Sequence, residues 1–141
     1  MSRQLRAAGF VIYRKIANQV EFLLLKASYP PYHWSPPKGH VDPGENDMET
    51  ALRETQEEAG FTKDHLNIMS FTKTLQYNVR DCCKSSIYWL AELRNPDTPL
   101  VLSKEHTEFV WLPLEQACAR AGFQDFNAML VECQTFIDAK K

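Results

Sequence analysis

The chain has 141 residues, 44% of them hydrophobic and 24% charged, with a formal net charge of -2. That length is enough for one domain, residues 1–141, with a real core, and the composition is ordinary for a soluble globular protein. The charge balance excludes bulk attraction to nucleic acid or to an anionic membrane surface, so any phosphate recognition must come from local cations or a metal.

Taken in chain order, Ala7 to Ile16 and Val20 to Lys26 read as strands, with Ala17-Asn18-Gln19 as the turn. The longest plain apolar run, Phe22 to Leu25, is far too short to span a bilayer. The opening MSRQLRAAGF lacks the apolar stretch of a signal peptide. Ala27 to Pro37 is a loop rich in proline and aromatics. A helix is predicted from about Asp47 to Ala59. Asn46 is its N-cap, and Glu49 three residues on completes a capping box. Gly60 stands where a helix end favours a left-handed residue. Met48, Ala51, Leu52, Thr55 and Ala59 give the helix its buried stripe.

Further on, Phe71, Leu75, Tyr77 and Val79 alternate with Thr72, Thr74, Gln76 and Asn78, which predicts a strand. Arg80 to Lys84 connects it to another strand, Ser86 to Leu93. Phe109 to Leu112 is a short strand, and Leu114 to Ala121 and about Phe126 to Ala139 are helical, with Trp111 in the core. The elements are too irregularly spaced for a doubly wound sheet, so the class is α+β. No repeat, linker or low-complexity segment interrupts the chain. Cys82, Cys83, Cys118 and Cys133 lack zinc or redox spacing and read as reduced thiols of an intracellular, cytoplasmic protein. No exposed heptad suggests a coiled coil, so the expected state is a monomer.

The chemistry concentrates in the central helix. Successive helical residues advance about 100°, so Glu54, Glu57 and Glu58 project within a sector of roughly 100°. Like charges at that spacing repel. A hard divalent cation would turn the repulsion into coordination. Arg53 can reach Glu49 and Glu57, each four residues away. Asp47, in the first turn, reads as a helix-dipole partner. Outside the helix, Lys38 and His33 are candidates to meet phosphates that the carboxylate-bound metal leaves uncompensated.

The string GHVDPGENDMETALRETQEEAGF, residues 39–61, carries a longer pattern. Gly39, five residues, Glu45, seven residues, Arg53-Glu54-Thr55, one residue, Glu57-Glu58, one residue, Gly60-Phe61 resembles the Nudix box. Thr55 is the mildest departure, at a position usually aliphatic. The resemblance implies an α/β/α sandwich with a central mixed sheet. It also implies hydrolysis of a nucleoside diphosphate linked to another group, with Mg²⁺ or Mn²⁺ as cofactor. Carried over by position, Glu57 and Glu58 are then the main metal ligands, and Glu54 is a further ligand or water-orienting carboxylate. The Gly39 carbonyl joins the metal shell, and Arg53 holds the glutamates by ion pairing.

Four further strings resemble one branch of that family, the animal-type asymmetrical diadenosine tetraphosphate hydrolases. They are His33 to His40, Ala51 to Gly60, Tyr88 to Glu92 and Leu102 to His106. The likeness runs from about Leu5 to Ile137. It implies a small-molecule dinucleoside polyphosphate as substrate, with P1,P4-bis(5′-adenosyl) tetraphosphate cut to ATP and AMP. It assigns Glu105, with Glu108 as the alternate, to the metal or base constellation, Tyr88 and Phe123 to an adenine clamp, and Tyr77 and Lys84 to the phosphate chain. Lys104 departs from the branch, which has a histidine there. Strand alternation separately points Tyr88 away from Ile87 and Trp89. Trp34 is either a loop anchor or a wall of the site. Two other readings stay open: the same chemistry on an mRNA cap, a damaged nucleoside triphosphate or a nucleotide sugar, and a non-catalytic nucleotide-sensing module.

Overall fold

A hairpin starts the sheet. In the computed structural model, which describes residues 3–79 and 82–140, β1 (Arg3–Ile16) turns back into β2 (Gln19–Ala27). Ala17 and Asn18 alone separate the strands, with φ of 51° and 69°. Two successive positive φ angles mark the tight turn whose twist suits a right-twisted strand pair. Gln19, expected in the turn, instead pairs with Ile16.

The two strands stay paired only from Tyr13↔Phe22 to Ile16↔Gln19 and then part. Two short strands from the proline-rich segment fill the split. β3 (Trp34–Ser35) pairs with Leu25 and Lys26 of β2, and β4 (Lys38–His40) pairs with Ala7 to Gly9 of β1. The expected loop is therefore partly strand. Gly9 is what allows the close approach, because a Cβ there would lie 2.2 Å from the Pro37 carbonyl oxygen.

Outside the split, β6 (Cys82–Leu93) runs parallel to β1, and β5 (Leu66–Val79) runs antiparallel to β6. β7 (His106–Leu112) lies antiparallel along the other edge of β2. Both β5 and β6 extend beyond the predicted strands. Of the connection expected at Arg80 to Lys84, Arg80 and Asp81 lie outside the described residues, and the rest is already strand. Among the described residues these seven strands make one mixed sheet.

Helix α1 (Asp47–Ala59) covers one face, and α2 (Leu114–Ala121) with α3 (Gln124–Ala139) covers the other. Strand alternation sorts the core between them. Phe22 and Leu24 pack toward α2 and α3, while Leu23 and Leu25 pack toward α1. The plain apolar run is thus a strand buried on both faces, and each such side chain contributes about 1.5–3 kcal/mol by leaving water. Trp111 is half-buried on the α1 side, with Arg14 stacked 4.5 Å above its ring.

The ends of α1 are held as its sequence dictates. Asn46 and Glu49 exchange the two hydrogen bonds of a capping box (2.8 and 2.9 Å), and Gly60 closes the helix at φ 77°. Ala51, Thr55 and Ala59 are buried, and Met48 and Leu52 pack partly against the same cluster. Glu58 is the surprise on this helix. Its residue is 5% exposed, so it belongs to the buried side and not beside it.

Candidate active site

The split in the sheet opens a cleft of about 570 Å³. Its lining includes the carboxylates of α1 and also Tyr88 and Phe126, which belong to the core cluster covered by α2 and α3. Among its lining residues are Glu54, Glu57, Glu58, Arg53, Gly39, Lys38, His33, Tyr77, Lys84, Tyr88, Glu105 and Phe123. All the site residues expected from sequence therefore reach one cavity.

Glu58 lies deepest among the carboxylates. The Lys38 backbone N–H donates to its Oε1 at 3.1 Å. Burial, with Glu54 and Glu105 adding repulsion, pushes its carboxyl up to about 8, against the pull of that N–H and the Lys38 cation. Burial also raises Glu54, with Glu57 and Glu105 adding to it and Arg53 opposing. Glu54 packs directly on β4: a Cβ on Gly39 would stand 1.8 Å from its Oε2. Glycine at 39 therefore lets the Glu54 side chain lie directly against the β4 backbone. Glu57 is the exposed member, with 55% of its side chain accessible.

Arg53 fastens the group. Its guanidinium donates to Glu45 at 2.7 and 3.0 Å, to Glu54 at 3.3 Å, to Glu57 at 3.2 Å and to the His40 carbonyl at 3.2 Å. Asp42 is a further ion-pair partner at 3.3 Å. Hydrogen bonding to Arg53 draws the Glu45 carboxyl down to about 2. Of the two partners expected at four-residue spacing, Glu57 is reached and Glu49 is not. The Glu49 carboxylate is taken by the Asn46 N–H. Asp47, read as a dipole partner, does sit in the first turn and also pairs with Arg6.

Two lysines, Lys38 and Lys84, share the cleft with the carboxylates. Burial lowers Lys38, and the nearby Lys84 lowers it further, while Glu58 and Glu54 pull it back up. Lys84 is the cross-strand partner of Tyr77, so their side chains share a face. Two lining rings are exposed: Phe123 is 49% exposed, Tyr77 37%. Phe123 lies 4.8 Å from the His33 ring. Tyr88 does face away from Ile87 and Trp89, as alternation requires. Yet it is 3% exposed and packs edge-on to Phe126 at 6.5 Å. Its ring is part of the cleft wall but is mostly covered, unlike the open rings of Tyr77 and Phe123.

Glu105 lines the cleft, whereas Glu108 pairs with Lys26 at 3.2 Å. Trp34 is both anchor and wall, since it packs on the core and lines the cavity. Tyr29, His40, Asp42 and His106 also line the cleft and were not singled out by sequence reasoning. His40 and His106 lie inside or beside the matched strings, which was the available signal. The His106 Nδ1 is buried without a hydrogen-bond partner among the described residues.

Among the described residues, no three acidic, histidine or cysteine side chains yet converge tightly enough to hold an ion. The donor set nonetheless fits a hard divalent metal. It is made of oxygens, and its most buried carboxylate lacks a full countercharge.

Residues 3–132 match the family model for the NUDIX domain, and the chain belongs to the Nudix family. Nudix hydrolases generally use divalent metal ions. The chain is 50% identical to the bis(5′-nucleosyl)-tetraphosphatase (asymmetrical) of Caenorhabditis elegans over 133 residues, 94% of this chain and 96% of that protein. It is 49% identical to the protein of the same name from Rattus norvegicus over 140 residues, covering 94% and 95%. The crystal structure of a C. elegans Ap4A hydrolase binary complex superposes with a TM-score of 0.92 at 48% identity, covering 96% of this chain and 98% of that one. Among the described residues, no helix is long and apolar enough to cross a membrane.

The raised Glu58 carboxyl gives a stability test. Between pH 4.5 and 8 the unfolded chain loses this proton while the folded, metal-free chain keeps it, so folding stability declines as pH rises through that window. Glu58→Gln keeps an acceptor for the Lys38 N–H and removes the titration. Melting curves in chelator should show the variant gaining on wild type from pH 5 to pH 8, by on the order of 2 kcal/mol. A pH-independent difference would contradict the buried carboxyl.

Proposed function

We propose that the chain hydrolyses P1,P4-bis(5′-adenosyl) tetraphosphate asymmetrically, to ATP and AMP. The observation that carries this reading is that one cleft gathers carboxylates, lysines and open rings. Glu54, Glu57 and Glu58 line it together with Lys38 and Lys84 and with the exposed rings of Tyr77 and Phe123. The near-full-length identity to asymmetrical bis(5′-nucleosyl)-tetraphosphatases supports it.

In this reading Glu54, Glu57, Glu58 and Glu105, with the Gly39 carbonyl, hold Mg²⁺ or Mn²⁺. Bound there, such an ion neutralises phosphate oxygens and lowers the pKa of water. Arg53 fixes the carboxylates without touching substrate. Tyr77 and Phe123 hold one adenine, and Tyr77 takes the stacking place first expected of Tyr88. Lys38, Lys84 and His33 hold the phosphates by charge-assisted contacts. Water attacks the phosphorus of the AMP half, giving up a proton to Glu54 or Glu105 as the bond to the bridging oxygen breaks and ATP departs. Residues 1–141 work as one domain and a monomer, with every site residue drawn from one chain. The free thiols of Cys83, Cys118 and Cys133 suit a reducing, cytoplasmic setting.

Two measurements test the reading. If one adenine is fixed, only one phosphorus lies in line with the water, and a misplacement of about 1 Å costs roughly 10²-fold in rate. Hydrolysis in ¹⁸O-labelled water should then put the label in AMP, with no ADP as a primary product. Label mainly in ATP reverses the orientation, and equimolar ADP removes the clamp.

The second measurement separates the rings. Tyr77→Ala and Phe123→Ala should raise KM about 5- to 150-fold with little change in kcat, since stacking is worth about 1–3 kcal/mol in ground and transition states alike. Tyr88→Ala should chiefly lower the melting temperature. A KM change confined to Tyr88→Ala would return the clamp to that residue.

A further inference from the structure

The corner that carries Phe123 is anchored on both sides, by Ala121 and Phe126 in the core and by the Gly122 N–H on the Cys118 carbonyl, but the Phe123 ring itself stands clear of the core. Phe123 is the N-cap of α3 and makes no side-chain cap hydrogen bond. An apolar residue there leaves the first-turn N–H groups without a side-chain acceptor. The preceding Gly122 is left-handed at φ 77°, with open space where a Cβ would be. Neither feature fixes the direction of the Phe123 ring, which is half exposed.

Two ring contacts do tie the corner down. Phe123 meets His33 at 4.8 Å. One turn back, in the last turn of α2, the Arg120 guanidinium sits over the Trp34 ring at 4.9 Å. Trp34 and His33 are neighbours in sequence, so both contacts land on the same segment. The Trp34 side of that pairing is fixed, since Trp34, in β3, pairs with Lys26 of β2 and packs on the core. Arg120 does not line the cleft.

The geometry points to Arg120 as a positioning residue for the base end of the cleft: stacked on Trp34, it holds the α2–α3 corner where Phe123 faces the substrate. This inference rests on the diadenosine reading for its kinetic consequence. It is independent of that reading for its structural one. An exposed cation–π contact is modest, so removing it loosens the wall without unfolding the protein.

Steady-state kinetics with diadenosine tetraphosphate and Mg²⁺ test it. Arg120→Ala should raise KM about 2- to 10-fold with kcat within about 2-fold, and Arg120→Lys, which keeps a cation over the ring, should recover part of the loss. In a Phe123→Ala background the same change should move KM by less than about 2-fold. An equal effect in both backgrounds would mean that Arg120 meets substrate directly and would overturn the inference. So would a lower melting temperature with unchanged KM. NMR of the free protein adds a readout that needs no turnover. The His33 ring-proton shifts caused by Phe123 should diminish in Arg120→Ala; unchanged shifts would overturn the inference even if wild type failed to cleave this substrate. Failure of wild type to turn over, with the shifts altered as expected, would instead remove only the substrate assignment.

Discussion

A carboxyl group held inside the protein sets the terms for the rest of the structure. Glu58 lies on the face of α1 that buries Ala51, Thr55 and Ala59. Taking an ionised carboxylate out of water is expensive unless it is paired. The nearby compensation is incomplete: one backbone N–H from Lys38, and cations that are themselves drawn toward neutrality or occupied elsewhere. Such an arrangement weakens folding near neutral pH. A positive charge arriving from outside the chain would relieve it.

The fold can be read as a frame around that deficit. β1 and β2 part so that β4 can bring Gly39 against Glu54 and the Lys38 N–H against Glu58. Arg53 spends its donors on Glu45, Glu54, Glu57 and the His40 carbonyl. It therefore organises the rim and leaves Glu58 to other partners. Lys38 and Lys84 both line the cleft and repel one another, while Glu58 and Glu54 draw on Lys38 from the carboxylate cluster. The Tyr77 and Phe123 rings line the same cleft, so carboxylates, lysines and open rings share one cavity.

Much of this was legible in the sequence because it is local. The caps of α1 depend on Asn46, Glu49 and Gly60, which act within a few residues of themselves. The carboxylate sector follows from helical geometry alone. The split in the sheet was not legible, because strands as short as Trp34–Ser35 and Lys38–His40 show no periodicity. Alternation assigned Tyr88 to the correct face but could not say how deep it lies. That depends on Phe126, 38 residues away, closing over it. In the same way, the choice between Glu105 and Glu108 turned on Lys26 in a distant strand. Spacing put Glu49 within reach of Arg53 but could not show that the Asn46 N–H would claim it first.

Burial raises the Glu58 carboxyl, and under the proposed metal-holding role a divalent ion would replace its proton. Metal binding at such a site would release that proton. Calorimetric titration of the metal-free protein with Mg²⁺ or Mn²⁺, repeated in buffers of different ionisation enthalpy, counts it directly. With the carboxyl raised to about 8, the account predicts release of about one proton per chain at pH 7, falling toward zero above pH 9. Binding heats at pH 7 that do not depend on the buffer would contradict it.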